Sequence, residues 1–532
     1  MLAISLQPEE FDLALGVQRW LIVFGTVLLV SLLVSLMASL ATYGGTGPAR
    51  LFGRLGYAAC DFMSLSPRRI FAVALLTFRE AVRRKALLVF VVFAVLFMFA
   101  SWFLTGNSER PEQDIEVYVG FVFTTISWLV LLVGGVLSCF GLPEDIRLRS
   151  LHTVVTKPVR RNEIVLGRML GFGSVCTLIL VLMGIVGQIW IVRQSQGLTL
   201  SCRVPIYGVL KFLDRTGAET SKGLNVGDIV ETRGFIEGGT KGAAVFQFRL
   251  PKSQPELLRF ESRFEAFRTH KGSMDRTIQA RYVLSNEEKG LRVPLEKFNV
   301  AEFSQNERDV ERKISYTNEK TLKKEEVDLY NDLAQDGWLT VHVQCLDRGQ
   351  YLGASRGDFF VRELPDRSFS AGYWKAMVGV WLMVVLLVMI AVTASCFVKG
   401  PVACLLCFCV FVLGQPAHDF MDKLVTGKQV GGGATESLYR LVSQANQTTP
   451  LDNQMMERTL KTIDRLPSGS LWIAKHLIPD MRTFSMAAWV GKGLDVPWYS
   501  AMLPSLAVAL GYILPCVLLG YFSLSLRELE SK

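Results

Sequence analysis

The sequence predicts a polytopic α-helical membrane protein with about seven transmembrane helices, a large mainly-β extracytoplasmic domain and a smaller helical extracytoplasmic segment. Three observations lead to this fold class. Of the 532 residues, 50% are hydrophobic and 20% are charged, which excludes a disordered chain and is unusual for one soluble domain. Seven uncharged or nearly uncharged apolar stretches are predicted to be long enough to cross a bilayer, for which a helix needs about 20 apolar residues. The longest stretch between them has short apolar runs separated by turn signals, as antiparallel sheets do.

Charged residues set the limits of the predicted spans. No charge occurs between Arg168 and Arg193 or between Lys375 and Lys399, so each interval holds one helix whose charged ends stay in water. The short span 400–414 follows its predecessor through Lys399-Gly400-Pro401, which predicts a tight hairpin. The predicted spans are 20–41, 86–105, 118–142, 165–192, 375–397, 400–414 and 499–525.

The basic residues of the short loops predict the orientation. Segment 42–85 is strongly basic, whereas loop 106–117 has one arginine and four carboxylates, so the first lies inside and the second outside. The N-terminus is then outside, the C-terminus is inside, and the long segments 193–374 and 415–498 are both outside. We expect an integral protein of a bacterial cytoplasmic (inner) membrane, in contact with the lipid bilayer.

Segment 193–374 is the predicted β domain. Leu339–Cys345 alternates with period two and is its clearest strand, whereas Glu319–Leu333 suits a helix. Cys202 and Cys345 lie outside the membrane zone, and in an oxidising compartment they could form a disulfide between an early and a late strand. Two unpaired thiols are the alternative, because the sequence does not give the separation of their Cα atoms.

The sequence contains no catalytic or nucleotide-binding motif. A phosphate-binding loop of the form GxxxxGK[ST] is absent, and the histidines have no metal-ligand spacing. Cys404, Cys407 and Cys409 lie in one apolar helix without a basic neighbour, which favours helix packing over a soft-metal site. We therefore expect no enzyme activity, no metal and no cofactor in this chain. Much of the net charge of +9 flanks the spans, so nucleic acid is not an expected partner.

Two segments on the predicted inner side carry patterned sequence. Ser66-Pro67 marks a helix start, and the residues up to Lys85 indicate an amphipathic helix at the membrane surface; a basic flank that only sets the orientation is the alternative. The connection 144–168 is broken at Lys157-Pro158. It could form a short helix that docks on a soluble partner, or it could be a solvated connection.

The same two segments carry a resemblance to a known family. TFREAVRRK at 77–85 and TKPVRRNEIVLGR at 156–168 resemble the ABC-2 type transporter permeases, and the closest likeness is to the permease component of multicopper-enzyme maturation systems. The chain differs from the simple family pattern in its additional N-terminal span, in Arg149-Ser150 where Gly-Thr is common, and in its large outer domain.

The resemblance implies a partner and a set of site residues. The partner is an ABC ATPase subunit that binds ATP and magnesium, and the permease pairs as a homodimer or as a heterodimer with a second permease. An elbow helix on the inner side would contain Arg79, Glu80, Arg83 and Arg84. A coupling segment that contacts the ATPase would contain Glu144, Ser150, Leu151, Thr156, Lys157, Pro158, Arg161, Glu163 and Gly167.

These features together divide the chain into consecutive parts. They are 1–66 (N-terminal anchor span 20–41 and inner tether), 67–192 (elbow helix, three transmembrane helices and coupling segment), 193–374 (extracytoplasmic mainly-β domain), 375–414 (transmembrane hairpin), 415–498 (extracytoplasmic helical segment) and 499–532 (last transmembrane helix and inner tail). We expect the transmembrane permease subunit of an ATP-driven exporter of the ABC-2 type, energised by a separate ATPase. The alternative is a membrane-anchored structural or binding protein that presents its β domain without transport.

Overall fold

The computed structural model describes most of the chain between Phe11 and Arg527. The described residues are 11–83, 88–103, 111–147, 160–195, 200–220, 223–224, 233–251, 253–268, 277–301, 305–317, 324–426, 434–443, 459, 472 and 475–527. They form two compact units. One is β-rich and comprises Thr199–Gly372 and Gly493–Asp495, and the other is helical and comprises Glu10–Leu198, Tyr373–Lys492 and Val496–Lys532.

The α-helices account for most of the helical unit. In chain order they are α1 Leu13–Tyr43, α2 Gly47–Met63, α3 Pro67–Arg83, α4 Leu88–Phe103, α5 Pro111–Arg147, α6 Arg161–Gln194, α7 Phe369–Phe397, α8 Gly400–Thr426, α9 Ala434–Ser443, α10 Ala487–Gly491 and α11 Leu503–Arg527. A 3₁₀ turn at Gly44–Thr46 joins α1 to α2, and a π-helical turn at Trp498–Met502 leads into α11.

Five helices in the described part of the chain are long and apolar enough to cross a membrane. They are Leu13–Met63, which includes α1 and α2, Asp114–Gly141, Arg161–Gln194, Phe369–Phe397 and Trp498–Ser525. This result confirms the predicted combination of apolar spanning-length helices with a large β-rich domain.

The count of seven spans and their orientation stay predictions. At the predicted span 86–105, α4 has 16 described residues, and the adjoining residues 84–87 and 104–110 lie outside the description. At the predicted span 400–414, the apolar part of α8 is Gly400–Val412, and the helix continues with more polar residues to Thr426.

The segment predicted as a tether is helical. After the 3₁₀ turn, α2 begins at Gly47, where a Cβ atom would lie 2.4 Å from the carbonyl oxygen of Ser39 in α1. Glycine therefore permits the close approach of the two helices at this point. Leu51, Leu55 and Ala58 recur at helical spacing on the less exposed face of α2.

The β-rich unit contains sixteen described strands. They are β1 Ser201–Tyr207, β2 Val209–Leu213, β3 Glu219–Thr220, β4 Gly234–Glu237, β5 Ala243–Arg249, β6 Leu257–Ser262, β7 Glu265–Arg268, β8 Ile278–Asn286, β9 Leu291–Pro294, β10 Phe298–Val300, β11 Asn306–Glu311, β12 Lys313–Thr317, β13 Lys324–Asp328, β14 Trp338–Cys345, β15 Gln350–Ala354 and β16 Phe359–Ser368.

All ladders between these strands are antiparallel. The sheet orders are β1-β16-β6-β11, then β10-β8-β14-β5-β2-β3 with β9 added to β8, then β4-β15-β7 and the hairpin β12-β13. Strand β14 alternates buried and less buried residues, as the predicted strand Leu339–Cys345 requires. Phe359 lies at the centre of the core, where its ring centroid is 4.9 Å from that of Phe248 and 5.0 Å from those of Phe246 and Tyr282.

The predicted helix Glu319–Leu333 is wrong over its described residues. Residues 324–328 form β13, whose Glu325 is opposite Tyr316 and accepts a hydrogen bond from its hydroxyl at 3.2 Å. Only Leu329–Leu333 is helical, as a single π-helical turn capped by Asp328. The many charged residues of this segment are typical of a solvated helix. In the structure Val327 is instead buried in the core, and the pairing of β13 with β12 holds it in that position.

The first and last strands of the β-rich unit are neighbours. β1 pairs with β16 from Ser201 opposite Ser368 onward, so the chain enters and leaves this unit on adjacent strands. Residues 493–495 extend the sheet beside β1: Arg203 N donates to Gly493 O at 2.8 Å, and Asp495 N donates to Arg203 O at 2.8 Å. A short segment far along the chain thus completes the edge of the sheet.

Candidate functional site

Helix α3 packs closely on the start of α6. Gly167 and Gly171 are one turn apart on α6 and both face α3. A Cβ atom on Gly167 would lie 2.6 Å from Val73 Cβ, and one on Gly171 would lie 2.5 Å from Thr77 Cβ. Such distances are too short for real contacts, so glycine at both positions lets the two helix backbones approach each other.

The carboxylate of Glu163 holds the starts of both helices. It is completely buried, and its two oxygens accept hydrogen bonds at 3.0 Å from the backbone N–H groups of Ser66 and Arg160. Ser66 directly precedes α3, and Arg160 directly precedes α6. The Arg69 guanidinium lies 3.6 Å from the same carboxylate. An anion at two helix starts is favoured by the unsatisfied N–H groups and by both helix dipoles.

The end of α2 joins the same cluster. Asn162 accepts a hydrogen bond from Glu163 N at 3.0 Å and donates one to the carbonyl oxygen of Asp61 at 2.9 Å. The Arg160 guanidinium lies 3.3 Å from the Asp61 carboxylate. The hydroxyl of Tyr521 in α11 donates to the same carboxylate at 2.9 Å. Helices α2, α3, α6 and α11 therefore meet at one polar cluster, which we call the helix junction.

An ion pair reinforces the other end of the α3–α6 contact. Arg168 donates to the Glu80 carboxylate at 3.0 Å, and the arginine side chain is almost completely buried. Its guanidinium also lies 6.0 Å from the ring centroid of Phe172. Because both charged groups are partnered, the pair fixes the two helices in register, and removal of either partner would leave the other charge uncompensated.

The residues predicted for the elbow and coupling segments fall into three groups. Glu80, Arg161, Glu163 and Gly167 belong to the contact between α3 and α6 or to its start, and Arg79 and Arg83 are exposed on α3. The backbone of Glu144 is in α5. Arg84, Ser150, Leu151, Thr156, Lys157 and Pro158 lie outside the described residues.

Two of these residues are buried within the chain. Glu163 and Gly167, which the resemblance assigns to the segment that contacts an ATPase, both pack against the chain's own helix α3. Contact of that segment with an ATPase stays a prediction. Asp61, Asn162 and Tyr521 were not predicted from the sequence. The signal that could have indicated the junction is Glu163, a glutamate three residues after Arg160, which precedes α6.

No disulfide joins Cys202 and Cys345. Both side chains are buried, Cys202 on β1 of one sheet and Cys345 on β14 of another. Cys202 Sγ packs closely on Gly372, and a Cβ atom added to that glycine would lie 2.6 Å from the sulfur. Cys345 Sγ lies 4.0 Å from the carbonyl oxygens of Asp347 and Gln350. Burial raises the pKa of the Cys345 thiol to about 11, so the neutral thiol is favoured at this position.

A second buried charge cluster lies in the β-rich unit. The carboxylate of Glu261 in β6 is completely buried, 2.7 Å from Arg203 in β1 and 3.2 Å from Arg362 in β16. Burial raises the pKa of Glu261 above its usual value, although both arginines oppose this effect. Each charge in the cluster has a partner, so its role is to connect the three strands.

No family model, curated protein or solved structure matches this chain. No group of three or more His, Cys, Asp or Glu side chains among the described residues could hold a metal ion. The carboxylates of Glu163 and Asp61 at the helix junction, and that of Glu80 at the other end of the α3–α6 contact, accept hydrogen bonds from groups of the chain itself. The arrangement connects the start of α6 to the start of α3 through hydrogen bonds to one buried carboxylate.

Proposed function

We propose that this chain is the transmembrane permease subunit of an ATP-driven transporter of the ABC-2 type, acting as an exporter with a separate ATPase. In this proposal it pairs as a homodimer or heterodimer of permeases in a bacterial cytoplasmic membrane. The likeness of 77–85 and 156–168 to such permeases supports it, as does the presence of several helices long enough to cross a bilayer.

The observation that carries the proposal is the double role of Glu163. One buried carboxylate binds the backbone at the start of the amphipathic helix α3 and at the start of the long apolar helix α6. Residues 148–159 immediately precede this point and lie outside the described residues. An ATPase that moved this preceding segment would displace α3 and α6 together, because breaking their connection would leave buried N–H groups without acceptors.

The proposal assigns different roles to Lys157 and Glu163. Lys157 belongs to the segment on which the ATPase docks, and Glu163 transmits the movement. Affinity-tagged full-length chain, purified from its native membrane in mild detergent, should carry vanadate-sensitive MgATP hydrolysis. Lys157→Ala should reduce the amount of ATPase that co-purifies, whereas Lys241→Ala, at an exposed position of the β-rich unit, should not.

Glu163→Gln should give a different result. Its amide has one acceptor oxygen in place of two, so one of the two backbone N–H groups loses its partner at a cost of about 1–3 kcal/mol. We expect the ATPase to remain bound. Its rate of ATP hydrolysis, however, should no longer change when the complex is reconstituted into lipid vesicles in which the wild-type complex transports. Loss of the ATPase in both variants, or in neither, would contradict the assigned roles. Wild-type chain without any associated ATP hydrolysis would instead support a membrane-anchored binding protein.

A further inference from the structure

Helix α2 has a face that nothing in the described chain covers. Leu51, Leu55 and Ala58 are on its less exposed face, whereas Phe52 and Met63 are 58% and 90% exposed. These two apolar side chains are eleven positions apart, which is close to three helical turns, so they share one side of α2. Large apolar side chains exposed on one side of a short helix are typical of helices that lie in a membrane interface.

The place of α2 in the chain supports the same position. Helix α1 has 31 residues, about 46 Å at 1.5 Å per residue, which exceeds a hydrocarbon core of about 30 Å. The three-residue turn at Gly44–Thr46 separates its end from α2. If α1 crosses the bilayer, α2 begins at a membrane surface, and α3 follows it after three residues.

The exposed charge on α2 and α3 is strongly positive. The two helices contain six arginines and two acidic residues, and both acidic residues are bonded to arginines of or beside α6: Asp61 to Arg160 at 3.3 Å and Glu80 to Arg168 at 3.0 Å. Arg69 is paired with Glu163. Within the described part of the chain, no carboxylate lies in ion-pair range of the remaining five, which are Arg50, Arg54, Arg68, Arg79 and Arg83.

We propose that α2 and α3 together form a membrane-surface site for the headgroups of anionic phospholipids. The paired acidic groups leave the arginines to attract phosphate, and the exposed apolar residues, Phe52 and Met63 on α2 with Phe71 on α3, enter the acyl-chain boundary beside them. Arginine suits this role because its planar guanidinium forms paired hydrogen bonds with phosphate oxygens. This inference does not depend on transport or on an ATPase.

Cys60 provides a local probe, because it is the exposed member of the ten cysteines and is located in α2. We would attach a fluorophore to it in full-length chain carrying Cys404→Ala and Cys409→Ala, reconstituted in phosphatidylcholine nanodiscs. Quenching by shallow spin-labelled phosphatidylglycerol, compared with equally labelled phosphatidylcholine, then measures local enrichment of the anionic lipid. We expect phosphatidylglycerol to be enriched near Cys60 and the enrichment to decrease as the salt concentration rises. In Arg50→Gln/Arg54→Gln the enrichment should decrease by up to about fivefold for each arginine removed.

Two control variants separate charge at this site from total charge. Arg50→Lys/Arg54→Lys keeps the charge and should retain most of the enrichment. Arg249→Gln/Arg292→Gln removes two exposed arginines of the β-rich unit and should retain all of it. Equal quenching by the two lipids in wild-type chain would refute headgroup selection. Absence of quenching by either lipid would show that α2 lies in water, and suppression of the enrichment by millimolar inorganic phosphate would assign the site to the free ion.

Discussion

At the level of single residues, two buried carboxylates connect elements that are far apart in the chain. Glu163 satisfies two helix starts with one carboxylate, and Glu261 connects three strands through two arginines. Burial of a carboxylate without such partners would destabilise the folded state by several kcal/mol. The neighbouring donors therefore stabilise each of these carboxylates, and the carboxylates in turn satisfy the donors. Removal of one partner therefore affects every element that the carboxylate contacts.

His342 in β14 makes the stability of the β-rich unit sensitive to pH. Burial lowers its pKa, and the nearby charge of Arg292 lowers it further, against the opposite effect of Glu287. Its Nε2 atom lies 2.8 Å from the hydroxyl of Ser285 on the adjacent strand. The folded state thus favours the neutral imidazole, whereas the unfolded chain binds a proton near the usual pKa of about 6.5.

The sign of the effect follows from the proton count. As pH decreases below about 6.5, the unfolded state takes up a proton that the folded state resists, so the free energy of unfolding decreases until the folded pKa is reached. We expect the thermal midpoint of the full-length protein in detergent to fall between pH 7 and 5. His342→Gln should remove this part of the decrease. The same pH profile in both proteins would show that another group is responsible.

At the scale of elements, two glycines decide the packing of α3 on α6. The amphipathic pattern of α3 predicts that it has an apolar face, but the glycines at 167 and 171 determine how closely that face approaches its partner. The result is a contact in which helix backbones, and not long side chains, set the distance between the axes.

Gly167→Ala tests this contact with a single methyl group. Its Cβ atom would lie 2.6 Å from Val73 Cβ and 3.0 Å from the carbonyl oxygen of Ile70, so the helices must separate, and we expect a loss of about 1–3 kcal/mol. Gly173→Ala on the same helix is the matched control, because nothing lies within 4 Å of its added Cβ atom. It should be neutral or stabilise α6 by up to about 1 kcal/mol. Equal thermal midpoints for the two variants in detergent would argue against close packing at Gly167.

At the scale of the whole molecule, the N-terminal region joins the rest of the helical unit at two separate places. Most of α1 is exposed, and its contacts with the end of the chain include the bond from Trp20 Nε1 to Gly511 O at 3.0 Å. The end of α2 is instead part of the helix junction through Asp61. The predicted division at residue 66 therefore places Asp61 and its partners in different parts of the chain.

Two truncations of different length should behave differently. Deletion of residues 2–46 removes α1 but keeps Asp61, so we expect membrane insertion with a modest decrease of the thermal midpoint. Deletion of residues 2–65 also removes the acceptors of Asn162, Arg160 and Tyr521, each worth about 1 kcal/mol or more. The longer deletion should therefore cause a clearly larger decrease. Similar midpoints for the two truncated chains would place the main contribution in α1.

Features that depend on the local pattern of one element could be predicted from the sequence. Uncharged apolar runs located the long helices, Ser66-Pro67 located the start of α3, and strict alternation located β14, because each signal arises from the periodicity of one element. The charged residues of 324–328 did not indicate a strand, because the exposed positions of a two-stranded hairpin and of a solvated helix have a similar composition. Three other features became visible only in the folded chain: the burial of Glu163, the separation of Cys202 from Cys345, and the extension of the sheet at β1 by residues 493–495. Each of these depends on contacts between residues about a hundred or more positions apart, and a local pattern shows that a face is apolar or polar without showing what covers it.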